Sequence, residues 1–372
     1  MNKKISSLIV ILTTLIISSC INSCCLISDL PCETPQHEYA IDKLPGCEDC
    51  TSVLDQEMLT DMVNMIETGE YGNIHSLIII HNDSLALEEY FMGWTRDMRH
   101  YLASAAKSIT SSVIGIAIDQ GKIGGVDETL LSFFPEYSNI ANLDERKESI
   151  TLKHVLTMSS GFTWEQHPDE DLADMKESKD WIKFMLDFPM SDEPGTKFWY
   201  NNGTSHLLSG IITKGTGQSA EEFAEEYLFD PLGITNWEWE SDPQGNNAGG
   251  WGLYLHPANM AIFGYLFLKN GLLNGMQIIS DNWVKESTAK QIEVIDPVTG
   301  QHTMDYGYQW WRTFPMPTFN MFYAAGFGGQ FIFVIPNLNM VVVMTAENSF
   351  EEFGTLGLNI LLGHIVPAVY EK

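Results

Sequence analysis

The sequence predicts an α/β fold, a mainly antiparallel sheet built from N- and C-terminal strands, flanked by helices, with a mostly helical region inserted between them. Three observations carry this expectation. Two β-rich runs, residues 76–81 and a second through Leu85, Leu87 and Tyr90, are joined by Asn82-Asp83 and read as an early hairpin. Four more runs, 306–312, 321–325, 330–335 and 340–345, crowd toward the C-terminus, the last two separated by Pro336-Asn337. Between the two groups, from about residue 127 to 300, apolar residues recur mostly at helical spacing. One sheet drawing strands from both ends makes the helical middle an insertion, not a separate domain.

Taken in order, the chain opens with Lys3 and Lys4, an apolar run over 5–17, and Ser18-Ser19-Cys20. Basic residues, an apolar core too short to span a bilayer and small residues before a break make an export signal. Ile17-Ser18-Ser19-Cys20 resembles a bacterial lipobox, which implies cleavage before Cys20 and lipidation of its thiol. All six cysteines (20, 24, 25, 32, 47 and 50) precede the globular region, and lipidation of Cys20 leaves an odd number to pair. The expected organisation is a signal peptide over 1–19, a Cys-containing tether over 20–52 and a single globular domain over 53–372. The expected location is the bacterial cell envelope, with the membrane reached only through the lipid anchor.

The first predicted helix covers 53–67, where Leu54, Met58, Met62, Met65 and Ile66 share a face. A second begins near Ser104 and ends at Gly121. The middle supplies helices over 152–158, 181–188, 202–215, 219–228, 257–268 and 280–289, and Asn201 or Asn202 caps the one at 202. A last helix covers about 353–365.

Composition narrows the function. Lys and Arg number 20 against 49 Asp and Glu, a net charge of -29 that repels nucleic acid and anionic headgroups, so nucleic-acid binding is excluded. His-Glu-x-x-His, Walker and dinucleotide glycine motifs are absent, as is a Gly-x-Ser-x-Gly elbow, and no metal or organic cofactor is expected.

The chemistry starts at Ser104 and Lys107. Three residues apart at the head of an apolar helix, they share a face, and a lysine kept neutral by burial can take the serine proton. The spacing alone is weak, because Ser287 and Lys290 repeat it. Leaving-group protonation calls for a further group. Tyr200 of Tyr200-Asn201-Asn202 is a candidate, since a nearby cation stabilises its phenolate, but Tyr71-Gly72-Asn73 and Tyr137-Ser138-Asn139 match the same pattern.

The order of five segments separates these matches. Ser104 to Lys107, Leu156 to Gly161, Pro194 to Asn202, Gly249 to Tyr254 and Ala325 to Gln330 follow one another as in the class C β-lactamase-related serine hydrolases. The chain resembles that family, which includes β-lactamases, D-alanyl-D-alanine carboxypeptidases, esterases and 6-aminohexanoate-oligomer hydrolases. The resemblance implies a serine β-lactamase and penicillin-binding-protein fold. It makes Ser104 the acylated nucleophile, Lys107 its proton acceptor, Tyr200 the general acid/base and Asn202 a partner of the lysine or of the substrate amide. The third family motif falls on Ala324-Ala325-Gly326, with Phe327 supplying the second oxyanion amide beside that of Ser104. An alternative register, Gly326-Phe327-Gly328, makes Gly329 the donor. Gly326, Gly328 and Trp310 are candidate substrate contacts. Neither register holds the lysine or histidine usual there, which disfavours anionic β-lactams and favours a small ester, amide or peptide substrate. The competing expectations are a penicillin-recognising enzyme and a non-catalytic cell-surface binding module.

Overall fold

The computed structural model describes residues 39–46, 52–164, 168–313, 320–349 and 356–371, all within one compact unit from Tyr39 onward. The lipobox, Cys20 and the five other cysteines lie outside the described residues.

Eight strands form the central sheet. They are β1 (Ile74–His81), β2 (Ser84–Tyr90), β3 (Ile292–Ile295), β4 (His302–Tyr306), β5 (Trp311–Arg312), β6 (Phe322–Gly326), β7 (Gln330–Ile335) and β8 (Met340–Ala346). The spatial order is β2-β1-β8-β7-β6-β5-β4-β3, antiparallel throughout. N- and C-terminal strands meet where β1 pairs with β8, Ile79 opposite Val342, as the sequence predicts. Asn82 and Asp83 turn β1 into β2 with φ of 51° and 62°, a left-handed geometry that short Asx side chains tolerate.

Both faces of the sheet are covered, which explains why β1 and β8 carry unbroken apolar runs, 77–80 and 340–344, rather than apolar residues at alternate positions. Ile78, Ile80, Ile332, Val334, Val341 and Val343 point into one core, whereas Leu77, Ile79, Phe331, Phe333, Val342 and Met344 point into the other. Among the helices that pack around these cores are α1 (Gln56–Glu67), α2 (Ala106–Asp119), α3 (Asn202–Thr216), α4 (Pro257–Leu268) and α5 (Asp281–Ser287). α1 lays Leu59, Met62 and Ile66 on the second core. α2, α3 and α4 fill the first, and α2 is buried all round, from Ala106 to Ala117. A helix apolar on every side belongs in a core, so any polar group it carries is held away from water.

Three features depart from the sequence reading. Residues 39–43, placed in the tether, pack instead as part of the core, with Tyr39 2% and Ile41 1% exposed and Arg96 bonded to Asp42. The expected strand over 306–312 is broken by a turn in which Gly307 N–H donates to the Trp310 carbonyl and Gln309 adopts φ of 63°. The region read as helical contains β3 at its end, together with short strands at Glu238–Trp239 and Leu253–Leu255.

Candidate active site

Ser104 sits in a single 3-10 turn, Ala103–Ala105, that leads into α2. The residue before it, Ala103, has φ of 45°, a strained conformation for a side chain with a Cβ and one that persists only where surroundings enforce it. Those surroundings are visible. Leu102 is fully buried, its N–H donates to the Leu253 carbonyl, and its carbonyl accepts from Ala105 N–H. Gly326, at the end of β6, lies so close that a Cβ there would stand 2.2 Å from the Leu102 carbonyl oxygen. Only glycine lets this strand abut the turn that carries Ser104.

One turn along α2, Lys107 is 2% exposed. Its Nζ lies 3.0 Å from Ser104 Oγ, 2.8 Å from Asn202 Oδ1 and 2.8 Å from the Gly250 carbonyl oxygen. All three are neutral acceptors. Burial disfavours the ammonium and lowers its pKa to about 7. Three acceptors match the three donors of an ammonium. A neutral amine has only two N–H bonds and a lone pair, so on deprotonation one contact reverses, and the Ser104 hydroxyl is the partner with a proton to give.

Asn201 and Asn202 divide their labour. Asn201 is the N-cap of α3, its Oδ1 accepting from Thr204 N–H at 2.9 Å, which leaves Asn202 to turn its amide toward Lys107. The half-buried Tyr200 precedes them, with Lys107 Nζ 4.9 Å from its ring centre. Burial pushes its phenol well above the ordinary value, and a side-chain hydrogen bond with Ser104 opposes that only partly. The phenol therefore keeps its proton at neutral pH. This reverses the expected preference for phenolate and leaves Lys107 as the group poised to change charge. The rival Tyr71 bonds His364 and Tyr137 bonds Asp180, so neither joins this group.

Trp310 is not a substrate contact. It is fully buried in the first core against Phe263, Phe267 and Phe322. Trp311 takes the position beside the site, stacking on Tyr200 with ring centres 5.7 Å apart and planes 16° from parallel. At the end of β6, Gly329 N–H donates to the Gly326 carbonyl at 3.2 Å, Gly328 has φ of 87°, and the Phe327 side chain is 55% exposed.

Two contributors were given no role from the sequence. Gly250 offers Lys107 its carbonyl, and a Cβ there would lie 3.1 Å from Nζ and 3.0 Å from Ser205 Cβ. Gln309 ties the floor of the site together. Its Oε1 accepts from Ser205, its backbone carbonyl accepts from Ser108, and its Nε2 donates to the Leu156 carbonyl. The glycine pair Gly249-Gly250 was a usable signal for the first, whereas nothing local marks Gln309. His154 and His206 are engaged with Thr151 and Asp242.

An antiparallel sheet with helices on both faces and a buried helix behind its middle strands defines a β-lactamase-type hydrolase fold. The chain belongs to the Beta-lactamase family, whose sequence profile matches residues 75–363. A 6-aminohexanoate-dimer hydrolase from Paenarthrobacter ureafaciens is 23% identical over 258 residues, 64% of this chain and 64% of that protein. An uncharacterized protein of Alkalihalophilus pseudofirmus is also 23% identical, over 75% of this chain and 84% of its own length. Among solved structures, a family VIII carboxylesterase shares the fold with a TM-score of 0.66 at 15% identity, covering 84% of this chain and 99% of that one. Relatives of this fold include hydrolases of the esterase, amidase and β-lactamase kinds.

Proposed function

We propose that the protein is a serine hydrolase that cleaves a neutral ester or amide through an acyl-enzyme on Ser104. The observation that carries this reading is the Lys107 amine, buried, 3.0 Å from Ser104 Oγ and with a pKa lowered to about 7. A lysine in that state holds a free lone pair at neutral pH without losing its position.

In this reading Lys107 takes the Ser104 proton as Oγ attacks the carbonyl carbon. The oxyanion so formed is met by the backbone N–H groups of Ser104 and Phe327. Tyr200, held as a phenol, donates its proton to the departing alcohol or amine and is reprotonated by Lys107, which holds the proton it took from Ser104. Water then enters where the leaving group stood and releases the acid. Asn202 and Gly250 fix the lysine during both halves. Gly326 and Gly328 give the substrate a wall of backbone with no side chain in the way. Ala324-Ala325-Gly326 brings no cation to that wall, which favours uncharged acyl groups over anionic ones. The same reading makes the protein an exported lipoprotein anchored through Cys20, with a small molecule as its partner.

Ser104→Ala tests the assignment. Hydrolysis of p-nitrophenyl esters should fall on the order of 10⁴-fold or more, and a fluorophosphonate probe that labels the wild type should no longer react. A fully active variant overturns the nucleophile, and a wild type that neither labels nor turns over any ester or amide supports a binding module instead.

A further inference from the structure

The geometry points to a subsite for an uncharged hydrocarbon leaving group, in a cleft of about 320 Å³ between the chain just before Tyr200 and the edge of the sheet. This inference rests on the proposed acyl-enzyme reading, since it assigns the side of the substrate that departs.

The cleft is walled by Phe198 and Trp199 on one side and by Ile292, Ile295 and Pro297 on the other. Among the described residues β3 is the last strand of the sheet, paired with β4 alone, and Ile295 at its end is 46% exposed. Apolar residues at an unpaired sheet edge are a liability that proteins normally cover or charge. Here they face a pocket instead. The charged groups that share the lining are already engaged. Lys197 Nζ sits 4.1 Å from the Trp199 ring centre and 3.9 Å from Asp192, and Glu293 pairs with Lys290 at 2.7 Å. What the cleft offers a ligand is therefore aromatic and aliphatic surface.

The cleft is joined to the site by a row of rings. Tyr200 stacks on Trp311, Trp311 meets Phe198 at 5.8 Å, and Phe198 meets Tyr306 at 5.0 Å. Phe198 is thus both a wall of the cleft and two ring contacts from the proposed proton donor. The position of that donor fixes which part of the substrate reaches the cleft. Tyr200 must touch the departing oxygen or nitrogen, so the group attached to that atom extends past Tyr200 along the ring row. The acyl part, bound to Ser104 and facing the amides of β6, points elsewhere. In the balanced step the carbonyl carbon to leaving-atom bond breaks as the Ser104 Oγ to carbon bond forms. The leaving atom then gains the Tyr200 proton and departs as a neutral alcohol or amine whose hydrocarbon lies in the cleft.

Two ester series on the full chain test this, one of acetates with methyl to pentyl alcohols and one of methyl esters with acetyl to hexanoyl acids. kcat/KM should rise about threefold for each methylene added to the alcohol until the cleft fills, and less for each added to the acid. Ile295→Asp, at an exposed edge position, should bring the pentyl acetate down to within about twofold of methyl acetate. If Ser104→Ala abolishes turnover but the alcohol series keeps its slope in Ile295→Asp, or the acid series carries the slope, the subsite is overturned and the acyl-enzyme reading stands. If Ser104→Ala retains turnover, or no ester of either series is hydrolysed by the wild type, both fall together.

Discussion

The chain contains two serine and lysine pairs at the same spacing, and their fates differ because of what surrounds each lysine. At Ser104 and Lys107 the serine is partly exposed while the buried amine meets three neutral oxygens. At Ser287 and Lys290 the serine is fully buried at the end of α5, its Oγ donating to the Val284 carbonyl, while the lysine lies beyond the helix in surface ion pairs with Glu293 and Asp305. Carboxylates hold Lys290 above the ordinary lysine value, and burial drops Lys107 to about 7. Identical local sequence patterns therefore yield a charge that is permanent in one place and titratable in the other. The lesson is that the lysine of a Ser-x-x-Lys pair can titrate near neutrality when the helix bearing it is buried on every side, as α2 is.

The largest expected effect breaks the comparison at the lysine. Lys107→Met should lower kcat/KM on the order of 10³-fold, and the wild-type pH profile should show an acid limb near pH 7, activity rising as Lys107 loses its proton. Stability should carry the same signature. Lys107 holds its proton up to the ordinary 10.5 in the unfolded chain and releases it at about 7 in the folded one, so across that window the unfolded state binds more protons. The contribution of Lys107 to stability must then rise with pH from about 7 to 10.5, and urea midpoints of wild type minus Lys107→Met should trace that rise. A flat difference would mean that Lys107 keeps its charge in the fold.

How much of this is legible in the sequence depends on the range of the contacts. The dyad is readable because i and i+3 neighbours on a helix need no tertiary knowledge, and Tyr200 and Asn202 emerge from the order of segments around them. The sheet is readable from its two clusters of β-branched and aromatic residues. Gly250 and Gln309 are not, because a backbone carbonyl has the same chemistry at every residue, and only tertiary contact selects one. The adjacent tryptophans cannot be assigned either. Neighbouring strand positions face opposite sides, and two identical side chains in succession carry no alternation from which to read the register. The sequence nominates Trp310, and Trp311 is the residue beside Tyr200. β3 is hidden for a related reason, its four residues being too few to interrupt a helical reading.

A smaller effect is expected one contact away from the lysine. Asn202→Ala removes an acceptor that favours the ammonium, so the pKa of Lys107 should fall and the acid limb should move to lower pH. Activity at the plateau should drop about tenfold to 100-fold, since the amine is then held by two oxygens and its orientation loosens. A limb that moves to higher pH would place Asn202 against the neutral amine instead, its NH₂ donating to the lone pair. That outcome would reverse the amide orientation and change which group aligns Lys107 for proton transfer.

The smallest effects should come from the second pair, and they sharpen the comparison by their absence. Ser287→Ala removes one hydroxyl that bonds back to its own helix, a contact of about 1 kcal/mol or less. Large catalytic losses require contact with the reacting atoms, so kcat/KM should stay within about twofold. Lys290→Met deletes ion pairs with exposed Glu293 and with buried Asp305, which keeps its hydrogen bond with His302, so only a small loss of stability is expected, and the acid limb should remain where Lys107 puts it. The double variant should therefore match the wild type in rate, pH profile and fluorophosphonate labelling. If it instead loses labelling, the reactive serine is at α5 and not at the head of α2, and the buried environment of Lys107 would have to be explained as packing alone.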